Sequence, residues 1–303
     1  MQAGLAGLWP PVATPFGDDG GLDTIRLTRH GRALIANGAD GLAILGTTSE
    51  ANSLTLAERR RVIDAYVEAG TPRSRLLPGT GACAVGDAAE LTRHAGEIGA
   101  AAVLLLPPFY YKDATDDGLF AFFARVIERA GARPPRVLLY HIPPVAVVGW
   151  SIDLVRRLIE AFPGIVVGMK DSSRDFNHTR QVIEAFPGFA VFPGSEVYAL
   201  KAMAAGAAGC ISASANVNAA GIAALVRRWR EPDAERLQAS VITVRKALEV
   251  HGMIPSIKAV LAARYADDAW LNVRPPLVKL DPTARSALMS DPAIVALQQP
   301  VAA

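Results

Sequence analysis

An alternation repeated eight times, of a short apolar run and a longer stretch of helical period, restricts the fold of this chain more than any other feature. The apolar runs fall at 8–13, 41–45, 76–78, 102–106, 137–140, 165–169, 190–192 and 208–211. Between them, 24–37, 55–69, 86–98, 116–130, 151–161, 175–185 and 195–205 read as amphipathic helices. Leu104-Leu105-Leu106 and Ile165-Val166-Val167 do not alternate with polar residues, the pattern of parallel strands covered on both faces. Three helices run through Gly38-Ala39, Gly99-Ala100 and Gly206-Ala207 straight into the next apolar run, each with a glycine suited to end a helix. Eight βα units in succession predict an α/β fold, a (β/α)8 TIM barrel. A doubly wound open sheet is the competing architecture. Past residue 215 the strands stop, and 219–230, 233–251, 255–265 and 282–297 read as helices. The expected division is a barrel over 1–230 and a C-terminal helical extension over 231–303, packed on it without a Pro/Gly/Ser-rich linker.

Charge narrows the partners. The 31 basic and 29 acidic residues nearly cancel, and no basic block is interleaved with aromatics, so nucleic acid is not expected. No apolar run approaches the ~18 residues of a bilayer span, so no membrane partner is expected. Residues 1–5 lack a basic n-region and soon meet Pro10, Pro11 and Pro15, unlike a signal peptide; the cytoplasm is the expected location. Cys83 and Cys210 lie far apart outside any C-x-x-C motif and are expected as reduced thiols. The five histidines show no metal-ligand spacing, so no metal is expected.

Catalytic groups of such barrels sit at the C-terminal ends of strands and in the loops that follow. Lys170 closes the run 164–169. Burial disfavours an ammonium, and a neutral amine is the form that attacks a ketone to give an imine. The same lysine could instead pair with Asp171 beside it. Tyr140, at the end of the preceding apolar run, is placed to shuttle protons or simply to pack in the core. Thr47, Thr48 and the amides of the turn begun by Gly46 could bind a carboxylate, or merely cap a helix; Thr55 and Glu58 spell a separate capping box. Residues 79–84 fit a relaxed dinucleotide-binding pattern but follow the third strand, with no strand-end acid at the required distance.

Gly46-Thr47-Thr48-x-Glu50, Tyr140-x-x-Pro143 and Gly168-x-Lys170-Asp171-Ser172-Ser173, in this order and spacing, resemble the dihydrodipicolinate synthase/N-acetylneuraminate lyase family. The opening segment 7–16 resembles that family's first strand, and the likeness runs from about residue 6 to 280. The resemblance implies a barrel with C-terminal helices, assembled as a homotetramer of tight dimers. It implies pyruvate or another 2-keto acid held as an imine on Lys170, with no further cofactor, and an aldehyde as the second reactant. Tyr140 would shuttle protons, Thr47 and Thr48 would bind the pyruvyl carboxylate, and Thr48 would link the tyrosines. Tyr110 matches a tyrosine inserted across the tight dimer; Gly194 and Ile211 match positions lining the pyruvyl pocket. Glu196, with help from Ser212 or Ser214, matches a contact to distal hydroxyls in sugar-acid members, though a first-turn acid also suits a helix N-terminus.

Two positions depart from the pattern. Dihydrodipicolinate synthases carry an arginine five residues after the tyrosine, where this chain has Val145, which offers no guanidinium fork for a carboxylate. Ser49 stands where the family usually has a glycine. The expectation is therefore a class I lyase cleaving a 2-keto-3-deoxy sugar acid, or a similar 4-hydroxy-2-keto acid, to pyruvate and an aldehyde. Condensation or dehydration on the same imine is the alternative, and a non-catalytic 2-keto acid-binding protein the reading of another class.

Overall fold

The computed structural model describes residues 5–298. The expectation about the leader (residues 1–4) and the last five residues of the predicted extension lie outside that range. Six named strands and two extended segments held by single bridges form the staves of a closed parallel barrel. They are β1 (Gly7–Leu8), segments 42–44 and 76–79, β2 (Val103–Leu105), β3 (Val137–His141), β4 (Val166–Asp171), β5 (Ala190–Pro193) and β6 (Gly209–Cys210). Strands β2 to β5 form one continuous sheet. Single bridges Pro11↔Ala43, Leu42↔Leu76 and Gly79↔Leu104 carry the other half. The Ala208 amide donates to Val191 O at 2.9 Å, and β6 pairs with β1 through Gly7↔Gly209 and Leu8↔Cys210, which closes the ring. The open-sheet alternative is thereby set aside.

Alternation along the strands explains where side chains go. Leu139 and Met169 face outward and pack with Phe122, Phe123 and Trp150. Leu104, Leu138, Tyr140, Phe192 and Ile211 belong to a separate buried cluster inside the barrel. Tyr140 and Lys170 are register partners on β3 and β4, so one step of sheet pairing brings the two predicted functional side chains level. The surrounding helices begin at side-chain caps. α1 (Thr24–Ala36) starts at Asp23, and α2 (Leu56–Glu68) starts at the expected Thr55–Glu58 capping box. The outer layer continues with α3 (Val85–Glu97), α4 (Asp116–Arg129), the short α5 (Pro143–Ala146), α6 (Ile152–Ala161), α7 (Phe176–Ala185), α8 (Ala199–Ala205) and α9 (Ala215–Arg227). Gly206, at φ +106°, ends α8 in the left-handed conformation and lets β6 follow at once.

The chain ends in α10 (Ala234–Glu249), α11 (Met253–Tyr265), α12 (Pro282–Ser290) and α13 (Pro292–Val295). The single helix expected over 282–297 is broken because Pro292 holds Asp291 in an extended conformation. The helix expected at 195–205 opens as a 3-10 turn, Glu196–Tyr198, and that expected from 219 begins four residues earlier, at Ala215, with a kink at Asn218. Two polar buckles fix α11 to the barrel. Lys258 is fully buried, forms an ion pair with Glu50 and donates to Asn272 O at 2.6 Å. Asn216 donates to Pro11 O and Ala213 O, so its Oδ1 accepts from the Ala13 amide and from His30 Nε2, while His30 Nδ1 accepts from Tyr265 Oη at 2.9 Å. Among the described residues, no helix is long and apolar enough to cross a membrane.

Candidate active site

A cavity of about 450 Å³ opens where β3, β4 and β5 end, and Lys170, Tyr140, Thr47, Thr48, Gly194 and Val145 all line it. Lys170 is 4 % exposed; its Nζ donates to Tyr140 Oη at 3.2 Å and sits 4.3 Å from the centre of that ring. Tyr140 Oη lies 3.2 Å from Thr47 Oγ1. The contact expected of Thr48 therefore falls to Thr47. The turn decides this: the Ser49 amide bonds to Gly46 O, the Glu50 amide bonds to Thr47 O, and Thr14 Oγ1 anchors Ser49 O at 2.7 Å. That winding turns Thr47 toward the phenol and leaves Thr48 buried in the cavity wall.

Asp171 does not pair with Lys170. As the next residue on β4 it points the other way, accepting from His178 Nδ1 at 2.9 Å, Thr179 Oγ1 at 2.7 Å and the Ser173 amide at 2.9 Å. Burial works against this carboxylate, but the three hydrogen bonds more than offset it and hold its pKa below the usual range. The bond to Asp171 raises the pKa of His178. His141 stacks on His178 with ring centres 4.2 Å apart, and burial, together with the neighbouring histidine, pushes it down to about 4. His141, Asp171 and His178 are the one grouping of potential metal ligands among the described residues. The carboxylate is already satisfied and the rings lie face to face, which suits a hydrogen-bonded brace behind the strand better than an ion site.

Other predicted residues take different places. Glu196 is fully buried, bonded to Ser212 and Ser214, and paired with Arg245 Nη1 at 3.0 Å. A buried carboxylate must be compensated, so Glu196 and Ser212 form a closed network behind the wall and are not free hydroxyl contacts. Ile211 packs inside the barrel with Tyr140 and Phe192. The Gly46 amide donates to Ser49 Oγ at 3.2 Å. Tyr110 is 71 % exposed and meets Tyr111 edge-on, outside the cavity of its own chain.

Sequence reasoning missed two arginines that line the cavity, Arg174 and Arg245. Arg245 arrives from α10, and nothing in an amphipathic helix announces which strand ends it will dock against. Arg174 carried a signal: it lies four residues past Lys170, in the loop that follows that strand. Backbone strain also gathers here. Of the five non-glycine residues with left-handed φ among the described residues, Leu45 and Glu50 flank the threonine turn, Val147 follows α5, and Arg174 follows β4. Such conformations concentrate where the surrounding structure forces a functional geometry.

Comparison with known proteins bears on the family and the fold. The model of the dihydrodipicolinate synthetase family matches residues 4–293. A 4-hydroxy-tetrahydrodipicolinate synthase of Acidiphilium cryptum is 33 % identical over 258 residues, covering 84 % of this chain and 85 % of that one. The crystal structure of a dihydrodipicolinate synthase from Agrobacterium tumefaciens superposes with a TM-score of 0.87 at 33 % identity, over 96 % of this chain and 99 % of that one. YagE, a prophage protein of the same family from E. coli K12 solved in complex with pyruvate, gives 0.89 at 25 % identity, over 97 % and 100 %. Members of the family are pyruvate-dependent carbon–carbon lyases that hold pyruvate as a lysine imine without a metal, and a homotetramer is their typical assembly. With its barrel, its buried strand-end lysine and a match over nearly its whole length, this chain belongs to the dihydrodipicolinate synthetase family.

Proposed function

We propose that Lys170 forms an imine with a 4-hydroxy-2-keto acid and that the chain cleaves it to pyruvate and an aldehyde, the preferred substrate being a 2-keto-3-deoxy sugar acid or a close analogue. The observation that carries this reading is the chain Lys170 Nζ–Tyr140 Oη–Thr47 Oγ1, 3.2 Å at each step, with no carboxylate on the lysine. The amine attacks the keto carbon and water leaves. The resulting iminium draws electrons from the bond between the third and fourth carbons. Tyr140 takes the proton of the hydroxyl on the fourth carbon as the aldehyde departs. The enamine is then protonated and the imine hydrolysed, releasing pyruvate and the free lysine. Thr48 and Thr47 bind the pyruvyl carboxylate. Tyr110, exposed on its own subunit, reaches the site of a second copy in a tight dimer, two of which make the tetramer.

The same imine could condense with an aldehyde or support dehydration, and the synthase names of the relatives favour keeping condensation as the second reading. Val145, which stands in the wall without a guanidinium, favours cleavage over condensation with aspartate semialdehyde. The test is borohydride reduction in the presence of pyruvate, followed by peptide mass: a pyruvyl adduct on Lys170 is expected. Folded protein that gives no adduct would refute the imine. Aspartate semialdehyde condensing faster than every aldol in a panel is cleaved would replace the first reading by the second.

A further inference from the structure

Three cations line the cavity, and they are not in the same position. Lys170 faces Tyr140. Arg245 is only 11 % exposed at its side chain and is shared between Glu196 and Glu249. Arg174 is exposed, and the site's ion pairs join His178 to Asp171 and Arg245 to its two glutamates without including it. The nearest acid in sequence, Asp175, lines the same cavity, but its Oδ1 caps α7 by accepting from the Asn177 amide at 2.9 Å, and it forms no ion pair with Arg174. Arg174 is also held in place. Its backbone is left-handed at φ +65°, and its carbonyl accepts from Tyr198 Oη at 2.8 Å, with Tyr198 itself part of the wall. Pro144, Val145, Met253 and Ile254 add apolar surface to the same wall, with Val145 exposed at its mouth.

We propose that Arg174 is a specificity-determining residue that binds a second anionic group, carboxylate or phosphate ester, at the far end of the aldehyde portion of the substrate. This inference rests on the imine reading above and deepens it. A guanidinium already fixed at its backbone and without an internal partner gives two parallel hydrogen bonds to such a group at little ordering cost. Charge recognition is thus moved from the position of Val145 to the loop after β4. The cavity thus combines threonines for the keto acid's own carboxylate, apolar wall residues, and an exposed arginine.

The experiment measures kcat/KM for aldol addition of pyruvate to two matched pairs, butanal with succinic semialdehyde and glyceraldehyde with glyceraldehyde 3-phosphate. The native enzyme is expected to favour the anionic member of at least one pair by about ten-fold or more, the size of a charge-assisted hydrogen bond. Which pair shows it separates carboxylate from phosphate. Arg174→Gly should bring that ratio to near one, chiefly through KM, and Arg174→Lys should leave it in between. Equal handling of both pairs by the native enzyme, or a ratio untouched in Arg174→Gly, would overturn the role of Arg174. Borohydride trapping of the native enzyme runs alongside: an adduct without anion preference sinks this inference alone, whereas absence of the adduct sinks the imine reading beneath it.

Discussion

The protein buries two lysines in similar surroundings and gives them opposite company. Lys170 and Lys258 are 4 % and 0 % exposed, and each ammonium lies over an aromatic ring, 4.3 Å from the centre of Tyr140 and 4.4 Å from that of Phe16. Lys258 has the Glu50 carboxylate and the Asn272 carbonyl as partners, and burial still pushes its pKa down to about 8. Lys170 has a neutral phenol and an open cavity. A carboxylate holds a proton on the amine and occupies its donors, so Lys258 is a strut. A nucleophile needs its lone pair and room for a carbonyl, and only Lys170 has room. What separates the two is the direction of one neighbouring acid: Asp171 points outward to His178, while Glu50, at φ 55°, turns inward to Lys258.

The largest effect that could break this comparison is on chemistry. Lys170→Met should cut pyruvate release in a coupled assay roughly 10⁴-fold or more, as loss of a covalent nucleophile does. Lys258→Met should still yield the pyruvyl adduct on Lys170 wherever it folds; an adduct lost in folded Lys258→Met would show that the two lysines are not separable. Stability comes next. Lys258→Met leaves the buried Glu50 without its ion partner, keeping only the Arg274 amide, and should cost about 3–5 kcal/mol in denaturant unfolding, much of it recovered on adding Glu50→Gln. Failure of the double variant to recover would mean that Lys258 acts mainly by packing.

Acid probes both regions at once, because each also buries a histidine. His141 lies behind Tyr140, and His30 lies 5.2 Å from the Trp270 ring at the seam of α11; burial pushes both down to about 4 from 6.5. As pH falls from about 6.5 to 4 the unfolded chain takes up these protons first, so stability should drop by on the order of 3 kcal/mol for each. His178 works the other way: its raised pKa gives stability that is full below the unfolded value and lost as pH rises through the folded one. Thermal midpoints of His30→Gln and His141→Gln across that window would assign the loss to one region or the other. The smallest effect is a gain. Arg174→Gly removes a left-handed non-glycine residue and should stabilise the fold by about 1 kcal/mol, a rise in melting temperature that is paired with the loss of anion preference.

Local patterns made the barrel legible. Each apolar run such as 137–140 or 165–169 is continuous in sequence, and caps such as Thr55–Glu58 are written within four residues. Lys170 and Tyr140 could be read because they close such runs and because sheet pairing brings strand ends level. The roles of Thr47 and Thr48 could not be separated, since they are adjacent in a turn whose winding depends on Thr14 and Glu50. The internal network of Glu196 was not legible for a different reason. Its partner Arg245 lies 49 residues away on a helix whose docking no local pattern specifies.

The seam between β1 and β6 has a consequence for how the chain is made. Gly7 pairs with Gly209, and the Ala13 amide waits for an acceptor on Asn216, 203 residues later. A nascent chain emerging from the ribosome therefore carries this stave unpartnered on one side until about 200 further residues have been synthesised. Contacts of such long sequence separation make for slow closure and a prolonged exposure of strand edges. Expression of this protein should accordingly depend on chaperone supply and translation speed more than its finished, edge-free barrel would suggest.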